Sequence, residues 1–196
     1  LGVQGGNEKT QFSINAGYFS DQGIIAGLDF TRYSVRVNVD HQVNKRLKVG
    51  ISSYGMYSLT NGANLNPYGY LSSQNPLARA YDDSGNLIFQ QTDDALLTNP
   101  LNEVVPGAKI DETKKYRIFN SIYAEYQIAD GLKYRVNFGP DFTISRNGRF
   151  NGALTNDIKG GNPTATTDNR FGFNYTLENI LTYNKQWKNH NLGVTL

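Results

Sequence analysis

"IFNSIYAEYQIADGLKYRVNFG", residues 118–139, is two alternating runs on either side of Asp130-Gly131. In the first run Ile118, Asn120, Ile122, Ala124, Tyr126 and Ile128 share one side of an extended chain; Phe119, Ser121, Tyr123, Glu125 and Gln127 share the other. In the second, Leu132, Tyr134, Val136 and Phe138 alternate with Lys133, Arg135, Asn137 and Gly139. Period two on both sides of a two-residue Asp-Gly turn predicts an antiparallel hairpin with one apolar face and one polar face.

The same alternation recurs along the chain. It predicts strands over about 10–19, 30–42, 46–59, 115–128, 131–142, 171–187 and 190–196. Phe12, Ile14, Ala16 and Tyr18 line one face of the first, and Tyr33, Val35, Val37 and Val39 one face of the second. Connections from the first strand onward run long, short, very long, short, long, short, the two longest spanning about 60–114 and 143–170. In an antiparallel meander, this gathers tight turns at one end and elaborate loops at the other, the asymmetry of outer-membrane barrels.

Composition narrows the classes. Only 38% of the 196 residues are hydrophobic and the mean hydropathy is −0.52, yet there are 13 Tyr and 10 Phe. A polar chain rich in amphipathic aromatics suits β-structure that meets water. No apolar run approaches the roughly 18 residues of a membrane helix, which excludes a helical membrane protein and leaves a β-barrel open. With no cysteine there are no disulfides or thiolate metal sites. A net charge of +2 with scattered basic residues argues against nucleic acid as a partner.

Alternation alone fits two architectures. In a sandwich the apolar faces meet in a core; in a transmembrane barrel they face lipid and the polar faces line the lumen. Strand length favours the barrel, as do aromatics at strand ends: Tyr18, Phe19, Phe30 and Tyr33 at the loop end, and Tyr126, Tyr134, Tyr183 and Trp187 at the turn end. The seven strands are an odd number, whereas single-chain bacterial barrels have even numbers. Either an eighth strand escapes the pattern or the chain is part of a larger barrel.

The wording of several segments adds to their pattern. "GGNEKTQFSINAGYFSDQGII", "RYSVRVNVDHQVNKRLKVG", "NPYGY" with "QNPL", "YDDSGNLIF", "GLKYRVNFGPD" and "FNYTLENILTYNK" resemble the SusC/RagA-type TonB-dependent transporters of Bacteroidetes along essentially the whole chain. The resemblance implies early strands of a plugged barrel of about 22 strands, with signal peptide, plug and remaining strands outside this stretch. It implies import of oligosaccharides or peptides across the outer membrane of a Gram-negative bacterium. The implied partners are outer-membrane lipid, a SusD-like surface lipoprotein lid, the TonB energy-coupling complex and the glycan or peptide itself. No cofactor and no catalytic role is implied.

Candidate ligand residues lie in the long loop: Tyr68, Tyr70 and Tyr81 for stacking on sugar rings, and Asn66, Asn75, Asp82 and Asp83 for bonding hydroxyls. The blander reading is that the tyrosines pack the loop and the Asn-Pro pairs set turns. On the expected lumen face, Arg36, Asp40, Glu125, Lys133 and Arg135 form either a charged wall that holds a plug or a set of solvated residues. "DDSGN" lacks the remaining ligands of a calcium loop and reads as a tight turn. His41 and His190 stand alone, so no metal is expected, and no nucleophile motif or phosphate loop suggests an enzyme. The competing function is a soluble or surface-attached β-sandwich that binds glycans through the tyrosine-rich loop. A third option is a complete small barrel.

Overall fold

The computed structural model describes all residues except 26, 63–66 and 95, and the side chains of all the others but Pro67 and Tyr68. Eight strands form a single sheet in chain order, each antiparallel to the next: β1 (Gly2–Gly6), β2 (Thr10–Gln22), β3 (Asp29–Gln42), β4 (Leu47–Asn61), β5 (Lys109–Ala129), β6 (Leu132–Asn151), β7 (Thr164–Trp187) and β8 (His190–Thr195). Connections 7–9, 43–46, 130–131 and 188–189 lie at one end; 23–28, 62–108 and 152–163 lie at the other. The strand missed by pattern is β1, whose sequence GVQGG has no alternation to detect.

The tight turns are built by local chemistry. Asn7 Oδ1 accepts from the N–H groups of Lys9 and Thr10 at 2.9 and 2.8 Å, and Asn44 Oδ1 accepts from those of Arg46 and Leu47 at 2.8 and 3.0 Å. Gly131 has φ of +79°, and a Cβ there would lie 2.2 Å from the Asn184 carbonyl oxygen. Only glycine serves both the turn and the approach of β7.

Register assigns the faces. Tyr18, Tyr33, Tyr57, Tyr116, Ile144 and Phe171 form one row across six strands. Its ring centroids are 5.1, 6.3 and 4.9 Å apart from Tyr18 through Tyr33 and Tyr57 to Tyr116. Toward the turn end, Tyr126 stands opposite Tyr134, whose hydroxyl donates to Asn179 Oδ1 at 2.7 Å. The face between these levels carries Ile14, Val35, Val37, Ile51, Ile118, Ile122, Phe138, Phe142 and Leu177. Tyr116 and Tyr126 are ten residues apart on β5, about 33 Å along the strand. At a tilt of about 40° that is roughly 25 Å of height, the thickness of a barrel's apolar band.

Among the described residues nothing covers this face. No hydrophobic residue is buried among those described, and Val35, Ile118 and Phe173 are 47%, 51% and 47% exposed. A sandwich would bury them under a second sheet; here all eight strands belong to one open sheet, so the sandwich reading has no core to stand on. An open antiparallel meander with one continuous apolar face has the architecture of a barrel wall. Two aromatics expected in the girdle face the other way: register puts Phe19 and Phe30 on the polar face, where their rings pack 6.0 Å apart.

Beyond the tyrosine row, β5, β6 and β7 continue where the alternation predicts loop. Residues 109–114, 145–151 and 164–170 are mostly polar on both faces, the exceptions Ile110, Phe150 and Ala165 forming one short row. A strand that has left the lipid band meets water on both sides and loses its binary pattern, while the backbone ladder runs on. Within the band the β5–β6 ladder lapses between Phe119↔Asp141 and Ile122↔Phe138, where Pro140 has no N–H to give.

Ile122 lies near mid-height of the band and Val136 one step from the Tyr134 level. We expect Ile122→Arg to disfavour assembly of the natural chain in lipid vesicles by about 2 to 4 kcal/mol and Val136→Arg by about 1 or less. Equal penalties in urea titrations would place the band at a different height.

Candidate functional site

The connection 62–108 carries a helical turn, α1 (Pro67–Leu71), a bridge between Tyr81 and Leu87, and a 3-10 helix over Pro100–Val104. Asn99 precedes the 3-10 helix and Pro100 opens it, an ordinary starting signal. Asn99 Oδ1 accepts from the Leu101 N–H at 3.1 Å, and its Nδ2 donates to the carbonyls of Ala80 and Ile88, both at 2.9 Å. One buried amide thus joins the hairpin to the helix.

The next tie is between loops. Glu103 Oε1 accepts from the backbone N–H and Nδ2 of Asn156 at 2.6 and 3.2 Å, while its Oε2 lies 2.7 Å from Lys109 Nζ. Lys109 Nζ also reaches Asp157 Oδ2 at 2.7 Å, and Asp157 Oδ1 accepts from the Tyr70 hydroxyl at 3.2 Å. Thr98 donates to Asn156 Oδ1, and Gln74 Nε2 donates to the Thr98 carbonyl at 3.0 Å. Segments around 70–74, 98–109 and 152–157 are therefore one unit. Its interior is polar: Thr98, Asn99, Asn102, Glu103, Thr155 and Asn156 are all buried. Burying the Glu103–Lys109 pair, 3% and 9% exposed, costs desolvation that its full set of hydrogen bonds offsets.

Electrostatics follow this geometry. Burial alone would pull the Lys109 ammonium down; its bonds to Asp157 and Glu103 outweigh that and hold it above the usual lysine range. The Lys109 ammonium holds the Asp157 carboxyl below the usual carboxylate range. Burial and the Asp157 charge push the Tyr70 hydroxyl up, so it stays a donor.

The ligand residues expected from sequence fare unevenly. Asn66 lies outside the described residues, as does the side chain of Tyr68. Tyr70 is engaged with Asp157. Asn75 Oδ1 accepts from the Leu77 N–H at 2.9 Å. Asp82 Oδ1 accepts from the N–H groups of Ser84 and Asn86 at 2.9 and 2.8 Å, which holds its carboxyl low and spends it on the turn. Asp83 pairs with Arg79 at 2.7 Å, and among the described candidates Tyr81 keeps a half-exposed ring. The polar members close their own turns. Glu103, Lys109, Asn156 and Asp157, which sequence reasoning missed, are brought together across separations that no local pattern reveals; only Asn99-Pro100 carried a readable signal.

On the polar wall face, Asp40, Glu125, Lys133 and Arg135 meet near the turn end. Glu125 lies 3.4 Å from Lys133 and 3.9 Å from Arg135, and Lys48 lies 4.0 Å from Asp40. Tyr123 donates to Asp40 and lies under the Arg135 guanidinium, 3.9 Å from its ring centroid. Gly50 makes room for that ring: a Cβ there would stand 2.3 Å from Tyr123. Arg36 stands apart, over the Tyr54 ring at 5.5 Å. Higher up, Arg117 and Asp141 form a two-bond pair at 2.9 and 2.6 Å.

The loop lock yields two expectations. Asp157, with its lowered pKa, contributes above about pH 4 and loses that contribution as pH falls through its depressed value; Lys109, with its raised pKa, contributes below about pH 10.5 and loses it as pH rises further. A fluorophore on Leu77→Cys, in a chain without other cysteines, should report a rigid loop at neutral pH and a mobile one toward both extremes. A flat anisotropy profile from about pH 2 to about pH 12 would contradict the lock. Glu103→Ala should free the loop at pH 7 by removing about 3 kcal/mol of anchoring, leaving the thermal unfolding of the wall unchanged.

No protein-family model matches the chain. Curated relatives do: TonB-dependent receptor P3 of Formosa agariphila is 27% identical over 99% of this chain and 20% of its own length. TonB-dependent receptor P39 of the same organism is 26% identical over 94% of this chain and 17% of its own length. The chain spans about a fifth of the length of these relatives. Among solved structures, the RagAB peptide importer in its closed-closed state and the RagAB peptide transporter align over 98% of this chain and 22% of theirs, with TM-scores of 0.72 and 0.75 at 18% identity. These bear out both the resemblance read from the sequence and the barrel-wall fold.

Proposed function

We propose that this stretch of SusC/RagA-type TonB-dependent barrel wall works within an energy-coupled outer-membrane importer of oligosaccharides or peptides. The single observation that carries the reading is the inverted polarity of one open sheet: an apolar band of membrane height on one face, a charged and hydroxyl-rich wall on the other. The relatives' receptor and importer names support nutrient uptake across the outer membrane of a Bacteroidetes bacterium and a non-catalytic role.

In this reading the polar face lines the lumen and the cluster of Asp40, Lys48, Tyr123, Glu125 and Arg135 stands where a plug would pass. The locked loops 62–108 and 152–163 face outward, as a preformed surface for a SusD-like lipoprotein lid and for cargo. Energy reaches the barrel from the TonB complex through parts outside this stretch.

Uptake in the natural host tests this. Deleting the gene should abolish accumulation of the labelled oligosaccharide or peptide that the chain carries, and an uncoupler of the proton gradient should have the same effect on the wild type. Accumulation that survives the uncoupler would mean passive diffusion instead of energy-coupled import.

A further inference from the structure

Strand register produces a row that no single segment displays. Arg32 pairs with Ser58, Ser58 with Lys115, Lys115 with Ser145, and Ser145 with Arg170. All five lie on the polar face, each next in sequence to a member of the Tyr33–Tyr57–Tyr116–Ile144–Phe171 row on the other face. They therefore form one ladder row beside the aromatic one, toward the outer end of the membrane band, climbing obliquely around the wall with the strand tilt. Cation and short hydroxyl alternate, and with strands about 4.8 Å apart successive cations stand roughly 9.5 Å from each other.

The charges in this row are unbalanced. Lys48, Arg117, Lys133, Arg135 and Arg149 on the same face each have a carboxylate within 4.0 Å. Arg32, Lys115 and Arg170 are exposed, and among the described residues none of them forms an ion pair. The nearest acids in the wall are Asp21 and Asp168 one row outward, at the two ends of the next row, and Asp141, whose two bonds go to Arg117 and whose charge also acts on Lys115 through space. A wall that pairs its charges elsewhere leaves three cations in line at the mouth, where low-dielectric walls focus the field on an entering anion.

We propose that this row binds an acidic oligosaccharide as it enters the lumen, an assignment that rests on the importer reading and names its cargo class. An extended peptide spaces same-side groups about 6.7 Å apart, short of the cation spacing. A glycan with one acid on every second ring separates its charges further and carries hydroxyls between them, opposite the half-buried Ser145 between Lys115 and Arg170; Ser58, between Arg32 and Lys115, is buried. Phe19 at the end of the row, with Arg32 over its ring at 5.7 Å, adds a flat apolar face for a sugar. At the other end a cavity of about 220 Å³ opens among Thr113, Ser145, Asn147, Arg149, Asp168 and Arg170.

The test is calorimetric titration of the natural full-length chain in detergent with three probes. They are an unsulfated chondroitin hexasaccharide, which has one carboxylate per two-ring repeat, its carboxyl-reduced neutral form, and hexaglutamate. The acidic saccharide should bind at least tenfold more tightly than either of the others. The double variant Lys115→Gln/Arg170→Gln should weaken it about tenfold, with Arg32→Gln an independent variant at the far end of the row. Lys185→Gln, on the opposite face, should change nothing. No preference for the acidic saccharide, equal binding of hexaglutamate, or indifference to both sets of variants overturns the assignment. If gene deletion stops uptake of a neutral cargo while acid preference is absent, the importer stands and the row falls. If acid preference holds but uptake survives the uncoupler, energy coupling fails and the row stands.

Discussion

Across the apolar band neither lipid nor a second layer can accept a backbone hydrogen bond, so each strand's N–H and C=O groups must be met by the next strand. That constraint explains the in-order meander, in which every strand pairs with its sequence neighbour. It also explains registers that run unbroken through all of β2 and β3, and why the lapse in the β5–β6 ladder falls at a proline. The connections gather at two ends because no irregular backbone can lie between them.

The same constraint turns the usual economy of a fold inside out. Apolar side chains are needed on one face only, and only over the height of the lipid, which is why a membrane-spanning chain can have a mean hydropathy of −0.52. Among the described residues the buried side chains are polar, prolines apart, and mostly sit in the outer loops, where water is available outside and hydrogen bonds must do the packing inside. Asn99 and Glu103 hold their segments by saturating donors and acceptors, a mode of assembly whose strength depends on charge state as hydrophobic packing does not.

How much of this was legible in the sequence depended on where each residue meets its solvent. Strands such as 30–42 and 118–128 announce themselves because one face meets lipid and the other water. The outer ends of β5, β6 and β7 do not, because Thr113 or Thr167 faces water whichever way it points. Phe19 and Phe30 were placed in the girdle by height along the strand; parity decides instead, and they fall on the polar side. Side-chain type points to loop residues such as Asp82 and Asn75, whose oxygens accept hydrogen bonds within turns a few residues long. The lock that does organise the loop joins Glu103 to Asn156 and Tyr70 to Asp157, pairings that exist only once the sheet has brought the loops together.

Membrane depth and lumen chemistry are written in adjacent letters of the same strands. Tyr33 follows Arg32, Ser58 follows Tyr57, Tyr116 follows Lys115 and Phe171 follows Arg170, so the register that sets the aromatic row at the lipid interface also sets the cation row at the mouth. Shifting β3, β5 or β7 by a single residue would exchange its two members, sending a cation to the apolar face and a ring to the polar one. The lipid band therefore enforces the alignment of side chains it never touches. A row of three charges drawn from β3, β5 and β7 can stay in register because misalignment would cost assembly itself, which is how a wall held together by local hairpins comes to present a feature that no hairpin contains.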